Sequence, residues 1–87
     1  MKEVIVISDT FYETDAHNNK YYGANIIGIV NTSNIKSDEI VQEIVDEAVA
    51  KASVEKIKSI QKYNDEINIF YENGNEYNIY IETKEVF

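Results

Sequence analysis

Eighty-seven residues make one domain, short enough to bury only about 60–65% of the surface its unfolded chain exposes. There is no Cys, so neither a disulfide nor a thiolate metal site can add to a small core. Sixteen acidic residues against eight Lys and no Arg give a net charge of −8, which repels phosphate backbones and argues against direct nucleic-acid binding.

Residues 2–8, KEVIVIS, and 24–31, ANIIGIVN, are β-branched runs of strand length bounded by polar residues. The segment between them carries Phe11, Tyr12, Tyr21 and Tyr22, which favour strands over loops. Both strands therefore extend inward to a tip at residues 15–19, DAHNN, as one long antiparallel hairpin. Gly23 and Gly28 fall inside the second strand, where glycine marks a bulge or a close backbone approach. The apolar run at 4–7 is too short for a signal peptide, and no run approaches the roughly eighteen apolar residues of a membrane span. A cytoplasmic protein without a membrane partner is expected.

Residues 31–52 carry a helix signal. Ser37 is expected as the N-cap, with Asp38 and Glu39 at the positive end of the helix dipole. Ile40, Val41, Ile44, Val45, Ala48, Val49 and Ala52 recur at helical spacing as a broad apolar stripe. Glu39, Glu43, Asp46 and Glu47 form an acidic ridge opposite, a face expected to lack basic partners at i, i+4.

Residues 53–63, SVEKIKSIQKY, fit a continued helix or a strand. The apolar stripe slips phase after Ala52, and Asn64 and Asp65 make a tight turn that tolerates positive φ, which favours the strand. Residues 67–72 and 76–82 both alternate and flank Asn73, Gly74 and Asn75. A three-residue loop of those residues sets Tyr71 opposite Tyr77, Ile69 opposite Ile79 and Ile67 opposite Ile81. The other face of this hairpin carries Asn68, Phe70, Glu72, Glu76, Asn78 and Tyr80. The expected fold is α+β: one antiparallel sheet of four or five strands, ββαββ or ββαβββ, with one amphipathic helix on one face.

Asp9, Glu13, Asp15 and His17 lie within nine positions and suggest a metal or acid–base site. One His and no Cys leave zinc short of ligands, and the D-x-D-x-D-G calcium pattern is absent. Polar residues collect at turns in any case, so a hairpin tip is the expected reading. There is no G-x-S-x-G, no Cys nucleophile, no P-loop and no dinucleotide fingerprint. A non-catalytic protein that requires no cofactor is expected.

The acidity is uneven: residues 38–52 carry −4, residues 53–64 carry +2 and residues 65–87 carry −5. Two acidic elements flanking a Lys-bearing one suit a patch that imitates phosphate spacing or plugs a basic cleft. Tyr12, Tyr21, Tyr22, Phe70 and Tyr80 exceed what one helix can cover, and an uncovered aromatic sheet face invites a partner or a second copy of the chain. The expected contact residues are Glu39, Glu43, Asp46, Glu47, Phe70, Glu72, Glu76, Tyr80, Tyr12 and Tyr21. The expected partner is a protein with a basic surface that handles nucleic acid.

Ile, Asn, Lys, Glu and Tyr abound while Arg, Pro and Trp are missing, a bias that AT-rich codons produce and that fits a low-GC bacterium or its phage. In size, charge, missing Arg and composition the whole chain resembles the small phage-borne inhibitors of bacterial defence, such as anti-CRISPR proteins. The resemblance rests on overall character, without a motif, and carries no residue over. It implies occupation of a nucleic-acid-binding surface on a defence effector. Two alternatives are a homo-oligomer joined through the open sheet face or edge, and a small-ligand or metal-binding domain using the hairpin at 9–23.

Overall fold

Strand-forming residues continue almost to the tip of the first hairpin, and so does the pairing. In the computed structural model, which describes residues 2–86, β1 (Lys2–Thr14) and β2 (Lys20–Asn31) run antiparallel from Val4↔Asn31 to Thr14↔Lys20. The apolar stripe follows as α1 (Ser37–Ala52), and then come β3 (Ile57–Lys62), β4 (Glu66–Tyr71) and β5 (Glu76–Val86). The five strands make one antiparallel sheet in the order β2-β1-β5-β4-β3, so the first and last strands pair at its centre. This is the α+β, ββαβββ arrangement, with residues 53–63 resolved in favour of a strand.

Alternation decides which side chains meet the helix. Ile7, Ile69 and Ile79 are fully enclosed beneath α1, joined by Val30, Val45, Ile67 and Tyr71. All seven positions of the helix stripe pack on this cluster. A bulge between Ile7 and Ser8 leaves Ile27 as the extra residue of β2 and brings Gly28 opposite Ile7. A side chain at Gly28 would meet Ile44 Cδ1 at 2.7 Å, so the missing Cβ is what lets α1 approach β2.

Three local expectations change. Ser37 is the first helical residue rather than the cap, and Lys36 holds the cap position without a side-chain hydrogen bond. The first helical bond runs from Ile40 N–H to the Lys36 carbonyl, one residue earlier than expected, and the preceding turn takes up the Ser37 N–H on the Asn34 carbonyl and the Lys36 N–H on Asn34 Oδ1. The β4–β5 loop is three residues long, as expected, but it consists of Glu72, Asn73 and Gly74. Tyr71 N–H donates to the Asn75 carbonyl and Gly74 N–H to the Tyr71 carbonyl. Gly74 takes φ +90°, the left-handed position that a three-residue hairpin loop needs. Ile69 therefore pairs with Tyr77 and Ile67 with Ile79, a shift of two residues that keeps the paired side chains on their expected faces and moves Glu72 off the open face into the loop. Asn64 and Asp65 do form the β3–β4 turn, with Tyr63 N–H donating to the Glu66 carbonyl. Neither takes positive φ, and the Asp65 carbonyl instead accepts from Ile81 N–H of β5.

Two isoleucines separate the covered face from the open one. Ile79→Ala empties a fully enclosed site and should cost about 2–5 kcal/mol in urea denaturation. Ile26, 66% exposed, should tolerate alanine to within about 0.5 kcal/mol. Equal losses would mean that α1 does not cover the face assigned to it.

Candidate functional site

Odd-numbered residues of β1 face the helix side, but α1 does not reach all of them. Beyond Asp9 the sheet continues past the helix, and a cleft of about 610 Å³ opens there. Asp9, Phe11 and Glu13 of β1, Tyr77 of β5 and Tyr71 of β4 line it from the sheet. Ile44, Glu47, Ala48, Lys51 and Ala52 line it from α1, and Glu55 from the segment that follows. Its volume lies in the range of small-ligand sites, about 300–1,000 Å³.

The aromatic walls are fixed. The Phe11 ring lies over its cross-strand partner Gly23, in the space a side chain there would fill. Tyr71 donates its hydroxyl to the Ala52 carbonyl at 2.6 Å, which satisfies a helix C-terminal acceptor and ties α1 to β4. Tyr77 donates to Asp9 Oδ2 at 2.7 Å. Asp9 is only 9% exposed, and its Oδ1 has no hydrogen-bond partner among the described residues. The floor of the cleft is thus a carboxylate with one oxygen unsatisfied.

The field in the cleft is negative. Burial raises the Tyr71 hydroxyl above the usual tyrosine range, and the charges of Glu55 and Glu13 raise it further. Tyr77 is raised by burial first, then by its hydrogen bond to Asp9 and the Asp9 charge. Lys51, a cation among the lining residues, pairs with Glu47 at 3.1 Å.

Asp9, Glu13, Asp15 and His17 do not converge. Asp9 and Glu13 line the cleft, whereas Asp15 and His17 belong to the tip. The Asp15 carboxylate accepts from the His17 and Asn19 amides, the Asn19 side chain and the Tyr21 hydroxyl. Its pKa falls below the usual carboxylate range, chiefly through the Asn19 amide. Asn18 takes φ 63° to close the turn. Among the described residues no group of three or more His, Cys, Asp or Glu is placed to hold a metal ion. The local chemistry is that of a hairpin tip.

The expected contact residues divide between the two faces. Glu39, Glu43, Asp46 and Glu47 are exposed along α1. Glu47 does have a basic partner at i+4, Lys51, contrary to expectation; Asp46 accepts from Gln42 Nε2. Glu47 also lines the cleft, so the ridge and the cleft meet there. Tyr12, Phe70 and Tyr80 sit at even positions, on the open face; Glu76 pairs within their row and, like Glu47, also lines the cleft. Pairing sets Tyr22, Tyr12, Glu76 and Phe70 in one row across four strands, and the Tyr12 and Tyr22 rings lie 4.8 Å apart. Tyr80 is separated from that row by Asn78, whose side chain donates to Thr10 Oγ1. Tyr21 pairs with Glu13 and points to the other face, where it binds Asp15. Glu72 is exposed in the β4–β5 loop. The sequence singles out Asp9 and Glu13, together with Asp15 and His17, but not Phe11, Glu55 or the missing donor at Asp9 Oδ1.

Comparison with known protein families, with characterised proteins and with solved structures returns no significant match.

Tyr77 makes a pH-dependent contribution. Its folded-state pKa is raised, so above the ordinary tyrosine value of about 10 the unfolded chain ionises while the folded chain keeps the proton. The stabilisation is complete below that pH and is lost as pH rises. Urea midpoints should fall as pH rises above about 10, and should fall less in Tyr77→Phe. At neutral pH that variant should lose about 1–3 kcal/mol, because Asp9 is left with neither oxygen satisfied. An unchanged pH profile in the variant would show that the Tyr77–Asp9 bond does not set it.

Proposed function

We propose that this is a non-catalytic protein that docks on a basic surface of another protein, one that handles nucleic acid, and blocks it. A phage-encoded inhibitor of a bacterial defence effector, acting in the host cytoplasm, fits the resemblance in size, charge and composition. The observation that carries the proposal is the unneutralised acidity: only two ion pairs form among the described residues, Lys51–Glu47 and Lys84–Glu82. The ridge Glu39, Glu43, Asp46 and Glu47 faces solvent and joins the acidic rim of the cleft at Glu47. Carboxylates so arranged accelerate encounter with a basic surface and fix orientation on it, while buried aromatic and apolar contacts supply most affinity.

The test is affinity capture from a nuclease-treated low-GC bacterial lysate, with the wild-type chain and a variant bearing Glu39→Lys, Glu43→Lys, Asp46→Lys and Glu47→Lys in parallel. One dominant nucleic-acid-handling protein should be retained by the wild type and lost from the variant. Its association rate should fall with added salt, and its nucleic-acid binding should be inhibited by the wild-type chain. Equal retention by both would remove the acidic ridge from the interface.

A second reading, self-association, has its own observation. β2 is a 12-residue edge strand whose open-face residues Ile26 and Ile29 are 66% and 63% exposed. Long apolar edges pair with copies of themselves unless blocked. If this reading holds, sedimentation will show a concentration-dependent dimer that Ile26→Glu with Ile29→Glu converts to monomer. A monomer at all concentrations would dismiss it.

A further inference from the structure

An acidic rim by itself selects no ligand, but the floor of this cleft does. Asp9 is nine-tenths buried and lacks a donor for Oδ1, while Oδ2 is committed to Tyr77. A buried carboxylate oxygen without a donor is unfavourable, and a ligand that brings N–H groups relieves it. The terminal torsion of an aspartate is soft, so a small rotation turns Oδ1 toward the cleft while Tyr77 keeps a hydrogen bond.

The surroundings narrow the donor to a flat cation. Phe11, Tyr71 and Tyr77 line the cleft with aromatic side chains, and Glu13 and Glu55 hold the field negative. An ammonium is compact and strongly hydrated, whereas a guanidinium is planar, weakly hydrated, stacks on aromatic rings and presents paired donors to a carboxylate. Lys51 does not serve as the internal donor: its exposed ammonium pairs with Glu47, and no group among the described residues donates to Asp9 Oδ1. Rim carboxylates would repel the carboxylate of a free amino acid, so the cation should arrive on a protein chain. We propose that the cleft beside Asp9 receives an arginine side chain projected by the basic partner, an inference that rests on the docking proposal above. The volume of about 610 Å³ admits the whole side chain with its adjoining backbone.

The probe is N-acetyl-arginine methylamide, titrated into the 15N-labelled protein and followed by amide NMR shifts. Shifts should cluster at residues 9–13, 47–55 and 71–77 and saturate with a dissociation constant on the order of millimolar. The neutral citrulline analogue should not bind, the lysine analogue should bind more weakly, and free arginine more weakly still. Asp9→Asn should weaken the arginine analogue by about tenfold or more. Should Asp9→Asn fail to fold, Glu13→Gln with Glu55→Gln, both at exposed positions, should weaken it several-fold.

Scattered or absent shifts, equal binding of citrulline, or no effect of the carboxylate variants would overturn the cleft as a cation site. Equal binding of the lysine analogue would overturn the guanidinium preference, and tighter binding of free arginine would overturn a partner-borne source. The two proposals fail separately. Loss of partner capture with the analogue still bound removes the docking reading, whereas intact capture without analogue binding removes only the cleft.

Discussion

One length mismatch governs this molecule. β1 has 13 residues and spans about 43 Å, whereas the 16-residue α1 spans about 24 Å. A single helix therefore covers little more than half of the long hairpin. The molecule extends 48 Å along its main axis, and its radius of gyration of 14.6 Å exceeds the roughly 12 Å of a rounder chain of this length. The enclosed isoleucines, the cleft beyond Asp9 and the free-standing tip all follow from where the helix stops. Tyr71 fixes that stop by binding the Ala52 carbonyl.

Charge is distributed around this geometry with little internal compensation: two exposed ion pairs form among the described residues. Most carboxylates project from α1, from loops or from the ends of strands, where water screens their repulsion. Asp9 is the exception, since it lies where the sheet passes out from under the helix. Tyr77 donates to one oxygen, while the second is buried without a donor in a residue that lines the cleft. A domain of this size has a small stability margin, and a half-satisfied carboxylate in its core draws on it. That cost is the physical reason to connect Asp9 with binding rather than with packing.

The two sheet edges differ in how they meet solvent. β3 is short, carries Lys58 and Lys62, and is closed by a tight turn, features that discourage pairing with another chain. β2 is twice as long and leaves Ile26 and Ile29 uncovered, although the bulge at Ile27 breaks its regular ladder. On the open face the polar residues Thr10, Asn68 and Asn78 interrupt the aromatics, and Asn78 is buried with its side chain satisfied by Thr10. Apolar exposure is therefore concentrated along β2 rather than spread across the face.

The amino-acid sequence by itself determined the element types and the buried faces, because period-two and period-3.6 patterning are local properties of the chain. The seven stripe positions of α1 and the extended hairpin follow from that patterning, whereas the strand at Ile57–Lys62 competes there with a continued helix and is favoured only by the phase slip after Ala52 and the turn at Asn64 and Asp65. Register was legible only to its parity: alternation fixes which face a side chain takes, while the left-handed position of Gly74 chose between pairings two residues apart. The cap at Lys36 follows from the turn at Asn34, after which the Lys36 carbonyl accepts the first helical bond from Ile40 N–H. The ten expected contact residues divide among the α1 ridge, the open face, the first hairpin near its tip and the β4–β5 loop, because charge and residue type alone do not say which of them share a surface. Only the tertiary structure placed Asp9, Tyr77, Tyr71 and Glu55 together, because they come from four segments. What joins them is the point at which the helix ends above the sheet, and no local pattern encodes that point.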